Sequence, residues 1–406
     1  MDNGVRVVLI PTLGVESVAM GVYVRAGSRD ETFENNGISH FLEHSVFRNK
    51  DTDKIEAIGG IKNGGTYSES TMFEAKLPGD KWEMGLKTIS EMVIHPHLLP
   101  EDIKKEQGIV LEEINRREDA PDEKVGELFC KMRFPSQGVG LTTLGKPEVI
   151  KALDTQKLKD YHQRSYVSQN IVVAMAGKIY IEPLKTKIEE IWGSIPKKGA
   201  KKRDVPHEDK TPKVAFEEHV GAEQIQFILG GRGYTTNDRK RFVLAVLSRI
   251  LKFGLSGRLY QAVREKRGLA YVIDFGYDCE ADYGYWGVDG GVKPDNLKEL
   301  IAVIKTELSV LTSDLVTDQE LASAKERCRV PLLFSMENPM RQMDFYARQA
   351  LDRPDNILTY SDVINHIMNV TAKDVLEVAQ ELFDPNNFNL AMVGAENPKY
   401  DTIPDI

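Results

Sequence analysis

His40-Phe-Leu-Glu43-His44 is the run whose residue types and spacing could hold a metal ion and activate water. On a helix, residues i and i+4 lie on one face a turn apart. Both imidazoles could therefore reach a single Zn2+ at about 2.0–2.1 Å. Glu43 follows His40 by three residues, so it falls on the same side and can serve the metal's open position without ligating it. Ser39 is placed to cap the helix. A catalytic zinc needs a third protein ligand and a free place for water. The segment 101–115 supplies candidates in Glu106, Glu112 and Glu113. Glu106 and Glu113 share a helical face but stand about 10.5 Å apart along the axis. One should ligate and the other should support a histidine from behind. Spacing alone leaves Glu112 and Glu113 equal. One Zn2+ per chain is the implied cofactor.

These side chains need a frame, and the chain reads as two copies of one. Asn170-Ile-Val-Val-Ala-Met-Ala-Gly177 and Asn387-Phe-Asn-Leu-Ala-Met-Val-Gly394 lie 217 residues apart, and each follows a helical stretch. That is a duplication signal. Between the copies, residues 196–213 carry three prolines and many charges, which predicts an exposed linker. The expected division is an N-terminal zinc-binding domain at 1–195, the linker at 196–213, and a homologous C-terminal domain at 214–406. In each half strands come first (5–10, 17–26; 224–231) and long helices follow (81–94, 100–117; 295–311, 317–329). This order predicts an α+β fold, each domain a mostly antiparallel sheet with helices packed on one face.

Composition narrows the function. With 406 residues, 41% hydrophobic and 28% charged, the chain can build real cores. A net charge of −9 argues against gripping nucleic acid or anionic lipid, and no apolar stretch approaches membrane-spanning length. The basic cluster 197–203 has no interleaved aromatic residue, so it reads as solvated linker. Cys130, Cys279 and Cys328 form no CxxC pair. They are expected to be inert thiols in a reducing cytoplasm.

His-x-x-Glu-His is the inverted signature of zinc peptidases, and the chain resembles the pitrilysin/insulysin superfamily over nearly its whole length. The resemblance extends to Gly59-Gly60-Ile-Lys-Asn63-Gly64-Gly65-Thr66-Tyr-Ser-Glu69-Ser-Thr71 and to Arg264-Glu-Lys-Arg-Gly268-Leu-Ala-Tyr271. It implies that Glu113 is the third ligand, Glu106 the supporting carboxylate and Glu43 the general base. Arg264 and Tyr271 are implied to contact substrate and oxyanion, and the strand around Asn63, Gly64 and Thr66 to bind substrate main chain. The half-length subfamily it is most similar to closes two chains around a chamber. Since both motifs are kept here, a homodimer acting on short or unstructured peptides is the expectation. The alternatives are a catalytically silent scaffold and a presequence-processing peptidase. Departures from the pattern are a gap of only 69 residues from His44 to Glu113, a shortened segment at 50–59, and Gly64 and Arg48 where alanine and lysine are common. Activity is expected to fall below about pH 6 as protonated histidines release the metal.

Overall fold

The computed structural model describes residues 1–48, 52–209, 211–252, 254–400 and 402–403. Among them are two five-stranded sheets. The first comprises β1 (Arg6–Pro11), β2 (Ser17–Val24), β3 (Ile61–Thr66), β4 (Thr71–Pro78) and β5 (Ile171–Gly177), in the order β1-β5-β2-β4-β3. The second comprises β6 (Val214–Glu218), β7 (Ile225–Arg232), β8 (Ala270–Cys279), β9 (Gly284–Val292) and β10 (Asn389–Gly394), in the order β6-β10-β7-β9-β8. Adding five to each strand number turns the first order into the second, so the repeat seen in eight residues of sequence is a repeat of topology. In each sheet only the outermost pair, β1 with β5 and β6 with β10, runs parallel.

The central strands are continuous apolar runs because both their faces are covered. On β2, Val18, Met20, Val22 and Val24 share a core with Leu86, Ile89 and Val93 of the helix Trp82–Ile94 and with Phe41 and Leu42 of the helix Ile38–Val46. The alternating residues Ala19 and Tyr23 face the other way, onto Met343, Ala347, Ala350 and Leu351 of the helix Pro339–Asp352. In the second sheet Ala391 and Val393 of β10 meet Val125, Phe129 and Met132 of the helix Pro121–Arg133. The expectation of helices on one face is thus incomplete. Each sheet has a second apolar face, and one helix from the opposite half of the sequence covers part of it.

The compact units consequently cut across the sequence halves. One comprises Met1–Asn115, Gln137–Asp204 and Phe334–Ile357, and the other Arg116–Ser136, Val205–Leu333 and Leu358–Ile406. The linker is mostly exposed, as its composition predicts, and Arg203 is an exception. The Arg203 side chain is 6% exposed and binds Asp30 and Glu69 of the first unit, each at 2.5 Å. Glu69 is shared with Arg29 at 2.7 Å, so the acidic side chains there draw a nominally free arginine inward. Of the shortened segment 50–59, residues 50 and 51 lie outside the described residues, and Asp53–Ala57 is a short helix. The three cysteines are free, and burial pushes the Cys130 thiol up to about 11.

Candidate metal centre

The helix Ile38–Val46 begins in buried surroundings, where its first N–H groups need partners. Ser39 does not supply them: its hydroxyl is engaged with the Tyr161 hydroxyl at 2.6 Å. Glu31 does. One carboxylate oxygen accepts from the Gly37 N–H at 2.7 Å and the other from the Ser39 N–H at 2.8 Å. Gly37 sits at φ +94°, a left-handed turn that also brings its α-carbon close to Gly145. Glu31 lies outside the helix, so no capping pattern in sequence announces it. Replacing Glu31 with alanine leaves buried donors unpaired and is expected to cost about 1–3 kcal/mol, read as a lowered urea midpoint.

From this anchored start His40 and His44 project from one helical face, with ring centroids 4.6 Å apart. The helix Pro100–Glu118 brings Glu113 to both. Its Oε2 lies 3.5 Å from His40 Nε2 and 3.6 Å from His44 Nε2. One ligand atom from each of the three residues lies within 4.8 Å of the others. Tetrahedral ligands about 2.0–2.1 Å from a zinc ion are roughly 3.3 Å from one another. The donor set therefore fits zinc after small side-chain rotations. Among the described residues, no other group of three such side chains converges in this way. Glu112, which spacing could not separate from its neighbour, is exposed.

Glu106 is 3% exposed and sits behind His44, its Oε2 3.1 Å from His44 Nδ1. That contact turns Nε2 towards Glu113. Burial disfavours the His44 cation, but the Glu106 hydrogen bond and the carboxylates of Glu43, Glu106 and Glu113 outweigh it and raise its pKa. The raised value has a definite sign for the metal. A proton must leave His44 before Nε2 can coordinate, so affinity should fall with decreasing pH from above the ordinary histidine value of 6.5, earlier than unperturbed imidazoles predict. Chelator competition at pH 6, 7 and 8 measures this; a flat profile would contradict it.

Glu43 is 8% exposed and belongs to no ligand group among the described residues. Burial raises its carboxyl to about 7; His44 opposes the shift, while Glu113 and Glu106 add to it. Its carboxylate lies against β3, where a β-carbon added at Gly64 would come within 2.5 Å of Glu43 Oε1. β3 is the terminal strand of its sheet. Gly64 and Thr66 stand opposite Phe73 and Thr71. Asn63 stands opposite Glu74 and hydrogen-bonds to it, which commits that side chain away from Glu43.

Arg264 and Tyr271 belong to the second unit. Arg264 lies in a π-helical turn, Tyr260–Glu265, and β8 starts at Ala270, just past Gly268 at φ +63°. The Arg264 guanidinium stacks 4.1 Å from the Tyr271 ring centroid and donates to the Tyr271 carbonyl at 2.9 Å. The Tyr271 side chain is left 73% exposed. The pair is thus preorganised, with its phenol presented outward.

Comparison with known proteins places this arrangement. A profile described as Insulinase (Peptidase family M16) matches residues 6–146, and one described as Peptidase M16 inactive domain matches residues 152–328. The uncharacterized zinc protease YmxG of Bacillus subtilis is 32% identical over 399 residues, covering 97% of this chain and 96% of its own. The uncharacterized zinc protease ML0855 of Mycobacterium leprae is 29% identical, covering 97% and 90%. Among solved structures, a protease from Helicobacter pylori has a TM-score of 0.89 at 20% identity, covering 97% of this chain and 98% of its own. A peptidase M16 inactive domain from Pseudomonas fluorescens has a TM-score of 0.88 at 17% identity, covering 97% of each chain. At these identities the structural likeness is one of fold.

Proposed function

Because the chain belongs to the insulinase family, peptidase family M16, we propose that it is a zinc-dependent endopeptidase acting on short or unstructured peptides. The observation that carries this reading is the convergence of His40, His44 and Glu113 beside a buried, non-ligating Glu43. The second half of the sequence has no His-x-x-Glu-His, in keeping with the description of the profile it matches.

His40 Nε2, His44 Nε2 and a Glu113 carboxylate oxygen would hold the ion. When bound, zinc supplies Lewis acidity, lowering the pKa of water and polarising a carbonyl. Glu43 takes the proton from the attacking water on a carboxylate oxygen and returns it to the leaving amine. The main chain of β3 from Asn63 to Thr66 pairs with an extended peptide as an added strand, which demands an unfolded substrate and tolerates varied sequence. Arg264 binds substrate, and the Tyr271 phenol donates to the developing oxyanion, the kind of contact worth about 10²–10³ in turnover. Two chains would enclose the peptide in a chamber as a homodimer. No described helix is long and apolar enough to cross a membrane, and we place the enzyme in the cytoplasm.

The test is zinc content together with cleavage of a mixed peptide library, beside a folded protein as control. One zinc per chain with peptides cut and the folded protein spared is the expected result. Tight zinc binding without cleavage would favour a scaffold. Cleavage confined to targeting presequences, and only with a different subunit, would favour a processing peptidase. Sedimentation of the active form measures the dimer.

A further inference from the structure

The side chain behind the metal centre is itself held by a residue to which no role has been given. Arg48 follows His44 by four residues and lies in the turn just past the end of the helix Ile38–Val46, its N–H donating to the Ser45 carbonyl at 3.2 Å. Its Nε donates to Glu106 Oε1, while Glu106 Oε2 faces His44 Nδ1 at 3.1 Å. Each oxygen of this almost fully buried carboxylate is therefore committed, one to an arginine and one to the metal-facing histidine. A buried carboxylate that loses one of two partners is both costly and free to turn.

We propose that Arg48 is a positioning residue of the metal centre: by fixing one oxygen of Glu106 it orients the other to hold the His44 ring with Nε2 directed at Glu113. Its side chain meets Glu106, and the role assigned to it runs through that carboxylate, with no contact to ion or substrate invoked. It lies partly in solvent, with its side chain 36% exposed, so replacing it opens no core cavity. The proposal rests on the metal site described above.

The experiment compares native protein, Arg48→Met, Arg48→Lys, Glu106→Gln and the Arg48→Met/Glu106→Gln pair. The readouts are zinc affinity by chelator competition, the visible ligand-field spectrum of the cobalt-substituted protein, and melting of the metal-free forms as a control for folding. Outer partners of metal-bound histidines are typically worth 10–100-fold in affinity. Arg48→Met should weaken zinc binding by roughly 10-fold and alter the cobalt spectrum, while the metal-free form still melts cooperatively at a somewhat lower temperature because the buried carboxylate has lost a partner. Arg48→Lys, which retains a cation for Glu106, should restore most of both. The double variant should be no weaker than Glu106→Gln alone, because Arg48 has nothing left to position. Native affinity and spectrum in Arg48→Met, or additive losses in the double variant, would overturn the proposal while leaving the metal site standing. If the native protein binds no zinc, or binds it undiminished after His44→Ala, the metal reading itself fails and this inference goes with it.

Discussion

Glu43→Gln should bind zinc as tightly as the native chain while losing about 10²–10⁴ of its turnover, the range associated with a positioned proton acceptor. Glutamine keeps the shape of the side chain, and Glu43 occupies a niche that tolerates little else. It is nearly buried and lies against the backbone of β3 at Gly64. What the amide lacks is a basic oxygen. Burial raises the native carboxyl to about 7 in the metal-free site, with Glu113 and Glu106 adding to the shift and His44 opposing it. A bound cation would pull that value down again, leaving a carboxylate able to exchange a proton near neutral pH. The decisive measurements are zinc stoichiometry and kcat on the same preparation. Full metal with turnover within a few-fold of native would remove Glu43 from the chemistry. Loss of zinc in parallel with activity would make it a ligand instead.

The second large effect separates two adjacent glutamates. Glu113→Ala should weaken zinc binding by more than the roughly 10–100-fold that accompanies loss of an outer support, and peptide cleavage at ordinary zinc concentrations should disappear. Glu112→Ala should change neither. Of the two, Glu113 brings an oxygen within 3.6 Å of both histidine Nε2 atoms, whereas Glu112 is exposed on the same helix. Removing the third ligand, the one anion of the set, also leaves an imidazole pair one protein ligand short of a catalytic zinc site. Equal losses for the two variants would mean that the helix contributes to stability and not to coordination.

Much of this centre is legible locally. His40, Glu43 and His44 belong to one helix, and their relation follows from 3.6 residues per turn. The same period places Glu106 and Glu113 on a common face. The duplication is legible too, because the strand before Gly177 and the strand before Gly394 keep their apolar residues in register. What escaped is consistently non-local. Glu31 caps the motif helix from a preceding loop, displacing Ser39 from the role its position suggested. Arg203 lies in a stretch whose composition reads as solvent-exposed, yet its partner Asp30 is 173 residues away in the chain. Amphipathic periodicity shows that Pro121–Arg133 and Pro339–Asp352 each have a side to bury, but not which sheet will receive it.

The sequence by itself determined the identity of the donors and their phase within each helix, because those depend on residue type and on backbone geometry repeated every few residues. Tertiary structure decided which glutamate brings an oxygen near both histidine Nε2 atoms, which lies behind His44 Nδ1, and which oxygen faces which nitrogen. His44 and Glu106 meet across 62 residues of chain, and two helices can present the correct stripes at many offsets. Packing in a shared apolar core, Phe41 and Leu42 from one helix with Ile103, Val110 and Ile114 from the other, selects one of those offsets, and with it the side chains that converge.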